Sequence, residues 1–156
     1  MTTTKARCLI LSCGNTLRGD DGIGPFLSEW ARDHYADREE IQILTRHQWT
    51  PDLAADLAEA ETALFIDCSV EIAAGEIRLE TVEPAAEQSI GSHHMDAAQL
   101  LALAQSLYAS LPRRALLLTV GAASTDFSEQ FSPAVRAALP KAQAQLAVAV
   151  EKLLAP

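Results

Sequence analysis

Long apolar runs are missing from this chain of 156 residues. It has no stretch of about 18 uncharged apolar residues, which argues against a membrane-spanning helix. The apolar segment within the opening MTTTKARCLILSCGN is too short for a secretory signal, so the expected location is the cytoplasm. Cysteine is scarce: Cys8, Cys13 and Cys68 form an odd set without CxxC spacing, which provides neither a disulfide framework nor a zinc cage. Positive charge is also short, with 12 Lys and Arg against 21 Asp and Glu. The resulting net charge of -9 opposes binding to phosphate backbones, so no nucleic-acid partner is expected. The GxSxG turn of serine hydrolases and the HExxH helix of zincins are both absent.

What is present suits one globular domain spanning 1–156. An apolar content of 49% with 21% charged residues favours a packed core over disorder. The apolar pattern alternates between strand and helix periods. Residues 7–12 (RCLILS), 41–45 (IQILT), 62–67 (TALFID) and 115–120 (ALLLTV) read as buried strands, and 75–82 (GEIRLETV) reads as a less covered, edge-like strand. Helical spacing follows at Ile23, Phe26, Leu27 and Trp30, over 51–60 after a Thr50 cap, over 96–110, and over 133–154 behind Ser132 and Pro133, with an irregularity expected at Pro140. This order predicts an α/β fold, a three-layer α/β/α sandwich with a mainly parallel sheet of about five strands. In such sheets, sites form beyond the carboxyl ends of the strands, near the switch in strand order.

CGNTLRGDDGIG, at 13–24, holds four of the seven glycines and two adjacent carboxylates, between the first strand and the first helix. As a phosphate loop it fails, because Asp20 and Asp21 stand where Lys and Ser or Thr are needed. A structural reading makes Asp20 a helix cap, worth about 1 kcal/mol, with Asp21 facing the helix dipole. A functional reading makes the pair a cation or proton-transfer site, which needs further ligands. Asp67, at the end of ALFID, and the His93–His94 pair ahead of the third helix supply them on the same predicted edge. Two carboxylates and one imidazole suit a borderline cation such as nickel or zinc. Cys13 and Cys68 read as soft ligands or redox-sensitive thiols beside this set or, in preference, as small buried fillers; Trp49 reads as a core, rim or substrate-contacting residue and His47 as a solvated loop or substrate-contacting one.

In combination and order, GNTLRGDDGIG at 14–24, LFID at 64–67, SHHM at 92–95 and FSPAVRAAL at 131–139 resemble the hydrogenase maturation endopeptidases. Those enzymes trim the C-terminal extension of the large subunit of nickel-iron hydrogenases. The resemblance implies that Asp21, Asp67 and His93 are the metal-contacting and catalytic residues, His93 being favoured over His94 by the spacing to Met95. It further implies that nickel arrives with the precursor of the large subunit, as part of the substrate, and that no organic cofactor resides in the protein. The family's GxGN begins here as Ser12-Cys13-Gly14-Asn15, and Arg46 to Thr50 replaces a glycine-rich turn. Two other functions use the same features: a nickel-binding chaperone that cleaves nothing, and an esterase resembling peptidyl-tRNA hydrolase, which the acidic balance disfavours.

Overall fold

The computed structural model describes residues 6–86 and 95–156. Its strands are β1 (Cys8–Cys13), β2 (Ile41–Arg46), β3 (Thr62–Ser69), β4 (Ile77–Thr81) and β5 (Arg114–Gly121). Its α-helices are α1 (Ile23–His34), α2 (Leu53–Ala58), α3 (Ala97–Tyr108) and α4 (Pro133–Leu154). The strands form one sheet in the order β2-β1-β3-β5-β4. β1 lies parallel to β2 and β3, β3 lies parallel to β5, and only β4 runs antiparallel, against β5. The three-layer, mainly parallel sandwich expected from the pattern is therefore what forms.

Strand geometry explains the layers. Successive side chains of a strand point to opposite faces. Cys8 and Ile10 of β1 accordingly enter one core with Ile23 and Leu27 of α1 and Leu146 and Val150 of α4. Leu9, Leu11 and Cys13 enter the other, with Leu53 and Leu57 of α2 and Leu100 and Leu101 of α3. A strand covered on both faces has to be apolar throughout, and every residue of β1 is buried. β4 sits at the sheet edge with an exposed alternate face, as its alternating sequence predicts.

The first crossover, through α1, sets β2 on one side of β1. The second, through α2, carries the chain past β1 to place β3 on its other side. The switch in strand order therefore falls between β1 and β3, at whose carboxyl ends the glycine loop and Asp67 stand. Close packing there depends on Gly24, where an added Cβ would lie 2.3 Å from the Cys13 carbonyl oxygen. Only glycine lets α1 start this close to the end of β1.

Two element boundaries differ from the sequence pattern. α2 begins at Leu53 rather than at Pro51, because the Thr50 hydroxyl bonds the Asp52 carboxylate instead of capping the helix, and 51–52 form a turn. α4 runs unbroken through Pro140, whose ring faces solvent while Ala142, Leu146 and Val150 hold the helix against the sheet. Its opening is as expected, with Ser132 accepting from the Val135 N–H and Pro133 in the first turn. Among the described residues no helix is long and apolar enough to cross a membrane.

Candidate functional site

The glycine loop leaves β1 with Gly14 at φ 151°, where a Cβ would lie only 2.0 Å from the Asp21 carbonyl oxygen. It closes through the turn from the Arg18 N–H to the Asn15 carbonyl (3.0 Å) and a short 3-10 segment, Gly19–Gly22. That segment sends its two carboxylates in different directions. Asp20 turns inward and is 1% exposed. It accepts from the backbone N–H groups of Ser132 (2.7 Å), Ala123 (2.8 Å) and Ser124 (3.3 Å) and from the Ser132 hydroxyl (2.8 Å). Burial pushes its carboxyl upward, yet the bonds from Ser132, Ala123 and Ser124 together outweigh this and hold it below the ordinary carboxylate range.

Asp20 is therefore not a cap of α1. Gly22 occupies that N-cap position without a side-chain cap, and Asp20 instead ties the loop to 123–124 and to the start of α4. The sequence pattern missed this because the partners lie more than 100 residues away.

Asp21 turns toward the sheet edge. Its Oδ2 accepts from the Asn15 N–H (2.8 Å) and its Oδ1 from the Cys68 thiol (3.2 Å). Asp67, near the end of β3, accepts at Oδ1 from the Cys68 N–H (2.8 Å) and from the Cys13 thiol (3.3 Å). Asp21, Asp67 and Cys68 each offer one ligand atom, and the three atoms lie within 4.8 Å of one another. Of the expected site residues, Asp21 and Asp67 are thus brought together. His93 and His94 lie outside the described residues, although Met95 and Asp96, which follow them, line the same cleft.

The cysteines are more than fillers. Cys13 is buried, but its thiol touches Asp67, and Cys68 touches Asp21. Cys13 belongs to the core on the α2 and α3 side and Cys68 packs against the core on the other. The pair of carboxylates is thus flanked by a thiol on each face of the sheet. Burial first, and then the neighbouring carboxylates, push both thiols far above their ordinary range, so both are protonated hydrogen-bond donors in the free protein. The sequence signal was Cys13 in place of a motif glycine.

Burial pushes the Asp67 carboxyl up to about 6, with the Asp21 charge acting in the same sense and the bonds from Cys13 and Cys68 opposing it. Two carboxylates in this poorly solvated place repel each other until a cation offsets their charge. A bound cation also favours release of the Cys68 proton, which would turn that thiol into a soft third ligand.

The two carboxylates open into a cleft of about 590 Å³, walled by Asn15 and Arg18 of the glycine loop, His47, Gln48 and Trp49 after β2, Asp96, and Thr125 after β5. A second cleft, about 280 Å³, shares Trp49, Asp67 and Asp96 with the first and extends past Cys68 to Arg78 and Glu80 of β4. Asp67 therefore stands where two hollows meet, a shape suited to an extended chain crossing the sheet edge. Trp49 is 4% exposed and meets Phe65 edge to face at 5.3 Å, so it is at once core and cleft wall. Its indole N–H is buried without a hydrogen-bond partner among the described residues.

No protein-family model matches the chain, and no curated protein matches it by sequence. Solved structures do match. The hydrogenase maturating endopeptidase HybD from E. coli superposes with a TM-score of 0.74 at 21% identity, covering 94% of this chain and 93% of that one. The [NiFe] hydrogenase maturation protease HybD from Thermococcus kodakarensis gives 0.66 at 23%, over 96% and 99% of the two chains. A hydrogenase 2 maturation peptidase from a Thaumarchaeota archaeon gives 0.66 at 22%, over 92% and 97%. Across nearly its whole length, the chain has the fold of these hydrogenase maturation peptidases.

Proposed function

We propose that this protein is a cytoplasmic endopeptidase that removes the C-terminal extension of a nickel-iron hydrogenase large subunit after nickel insertion. The observation that carries the reading is the convergence of Asp21 and Asp67 at the β1/β3 switch point, in a fold shared with hydrogenase maturation peptidases. Asp21, Asp67 and His93 clasp the nickel of the precursor, which is substrate rather than a resident cofactor. Anchoring the metal places the neighbouring peptide bond in the cleft beside the carboxylates and makes its hydrolysis effectively intramolecular. Burial holds the Asp67 carboxyl up at about 6 in the free protein, and the arriving cation favours its ionised, ligating form. Water adds to the scissile carbonyl carbon, its proton passes by way of a carboxylate to the departing amine, and the C–N bond breaks.

Cleavage of a precursor large subunit, purified with and without nickel and followed by mass analysis of its C-terminus, tests the proposal. Trimming of the nickel-loaded form alone is expected. Equal trimming of both forms would overturn recognition through the metal. Retention of nickel on the protein with no trimming would favour a nickel-binding chaperone, a reading that the nearby Cys68 thiol supports.

A further inference from the structure

Arg18 lines the cleft that holds Asp21, Asp67 and Asp96, yet it forms an ion pair with none of them. Its backbone is held from both sides. Its N–H donates to the Asn15 carbonyl (3.0 Å), its carbonyl accepts from Asp21 (3.1 Å), and it bridges to Ser128, with the neighbouring Gly19 N–H bonding the Ser128 carbonyl at 2.8 Å. The side chain is tethered too, because Nε donates to the Thr125 carbonyl at 3.2 Å. Thr125 belongs to the segment that Asp20 fastens at Ala123 and Ser124. The guanidinium is thus aligned by a fixed carbonyl, and Nη1 and Nη2 have no protein partner among the described residues.

A guanidinium with two parallel donors matches the planar oxygens of a carboxylate better than any other common group. Among the described residues Arg18 is also the sole Lys or Arg lining this cleft, and Arg78 in the adjoining hollow is paired with Glu76. A carboxylate entering the cleft is repelled by its three aspartates and held by Arg18. We infer that Arg18 anchors a carboxylate of the bound peptide, either the free terminus of the extension or an acidic side chain within it. The inference rests on the peptidase reading and makes the cleft two-ended, with a cation at Asp21 and Asp67 and an anion at Arg18. It gives Arg18 a specificity role and no part in bond cleavage.

Two experiments test it. In the cleavage assay, Arg18→Gln keeps a neutral donor for Thr125 and should raise KM for the nickel-loaded precursor about tenfold or more with kcat nearly unchanged, while Arg18→Lys recovers only part of the loss. In calorimetry, a synthetic peptide of the extension is titrated as the free acid, as the C-terminal amide, and with its acidic side chains changed to amides. Weakening by amidation of the terminus identifies the terminal carboxylate as the ligand, and weakening by the side-chain changes identifies an acidic residue. In either case the weakening should vanish in Arg18→Gln. If the wild type trims no precursor but binds the peptide in an Arg18-dependent way, the peptidase reading fails and this inference stands. Unchanged KM in Arg18→Gln, or peptide binding that is absent or indifferent to Arg18, overturns it.

Discussion

Two adjacent aspartates with opposite duties are the clearest result at the scale of single residues. Asp20 is a buried hub for four hydrogen bonds, and Asp21 is half-buried at the cleft. Asp20→Ala leaves three backbone N–H groups and a hydroxyl unpaired and should destabilise the fold by about 3 kcal/mol, well beyond the loss of a helix cap. Because the folded Asp20 carboxyl is depressed, its contribution is present above the unfolded value near 4 and fades as pH falls through the lower native value. Urea unfolding from pH 7 down to pH 3 should therefore show the gap between wild type and Asp20→Ala closing with acid.

Asp67 has the opposite sign. Its folded carboxyl is raised to about 6, so the native state binds the extra proton between about pH 4 and 6, and stability falls as pH climbs through that window. Asp67→Asn mimics the protonated form and can still accept from the Cys68 N–H. It should abolish processing yet stabilise the free protein at pH 8, by an amount on the order of 2 kcal/mol. The gain should disappear below about pH 4. A lower Tm than wild type at pH 8 would contradict the burial argument.

At the scale of elements, the decisive contact is the start of α1 against the end of β1. Gly24→Ala would place a methyl 2.3 Å from the Cys13 carbonyl, against backbone that cannot rotate away. α1 should be pushed off the strand end, at a cost of about 2 kcal/mol or more. Since Gly22 and Asp21 directly precede α1, the same shift should part Asp21 from Asp67 and lower processing even in the folded fraction. Thermal unfolding together with an assay below the transition checks both halves of this expectation. Unimpaired processing would mean that the loop is positioned independently of the helix.

For the whole molecule, an ion held as proposed by the carboxylates at the sheet edge would be coupled to folding. The native state gathers Asp21, Asp67 and Cys68 from positions 46 and 1 residues apart in sequence, and an unfolded chain does not hold them together. A divalent cation that binds there stabilises only the folded form, by roughly 2.7 kcal/mol at a hundredfold excess over Kd. That corresponds to a rise in Tm of several degrees for a domain of this size, at about 2–4 °C per kcal/mol. Nickel added to the purified protein should raise Tm, and Asp21→Asn, which retains the bond from the Asn15 N–H, should remove the shift without itself unfolding the chain. An equal nickel-dependent shift in Asp21→Asn would place the ion elsewhere.

Apolar periodicity is enough to set the layers and the sheet edge to which the candidate site belongs. A strand buried on both faces must be apolar at every position and a half-covered one must alternate, so RCLILS, TALFID and GEIRLETV declare their places in the sheet. The switch-point rule then brought Asp21 and Asp67 to one edge. Which aspartate of the pair is structural depends on long-range packing. Asp20 and Asp21 are chemically identical, and what separates them is the arrival of Ala123, Ser124 and Ser132 from the far end of the chain. Long-range packing also decides that Cys13 and Cys68 are contacts of the site, and that Arg18 is steered by Thr125 rather than by a nearby aspartate. Local sequence carries backbone preference and the period of burial. Hydrogen bonds between residues about 50 to 110 apart depend on where the packed layers bring those residues, and no local pattern encodes that.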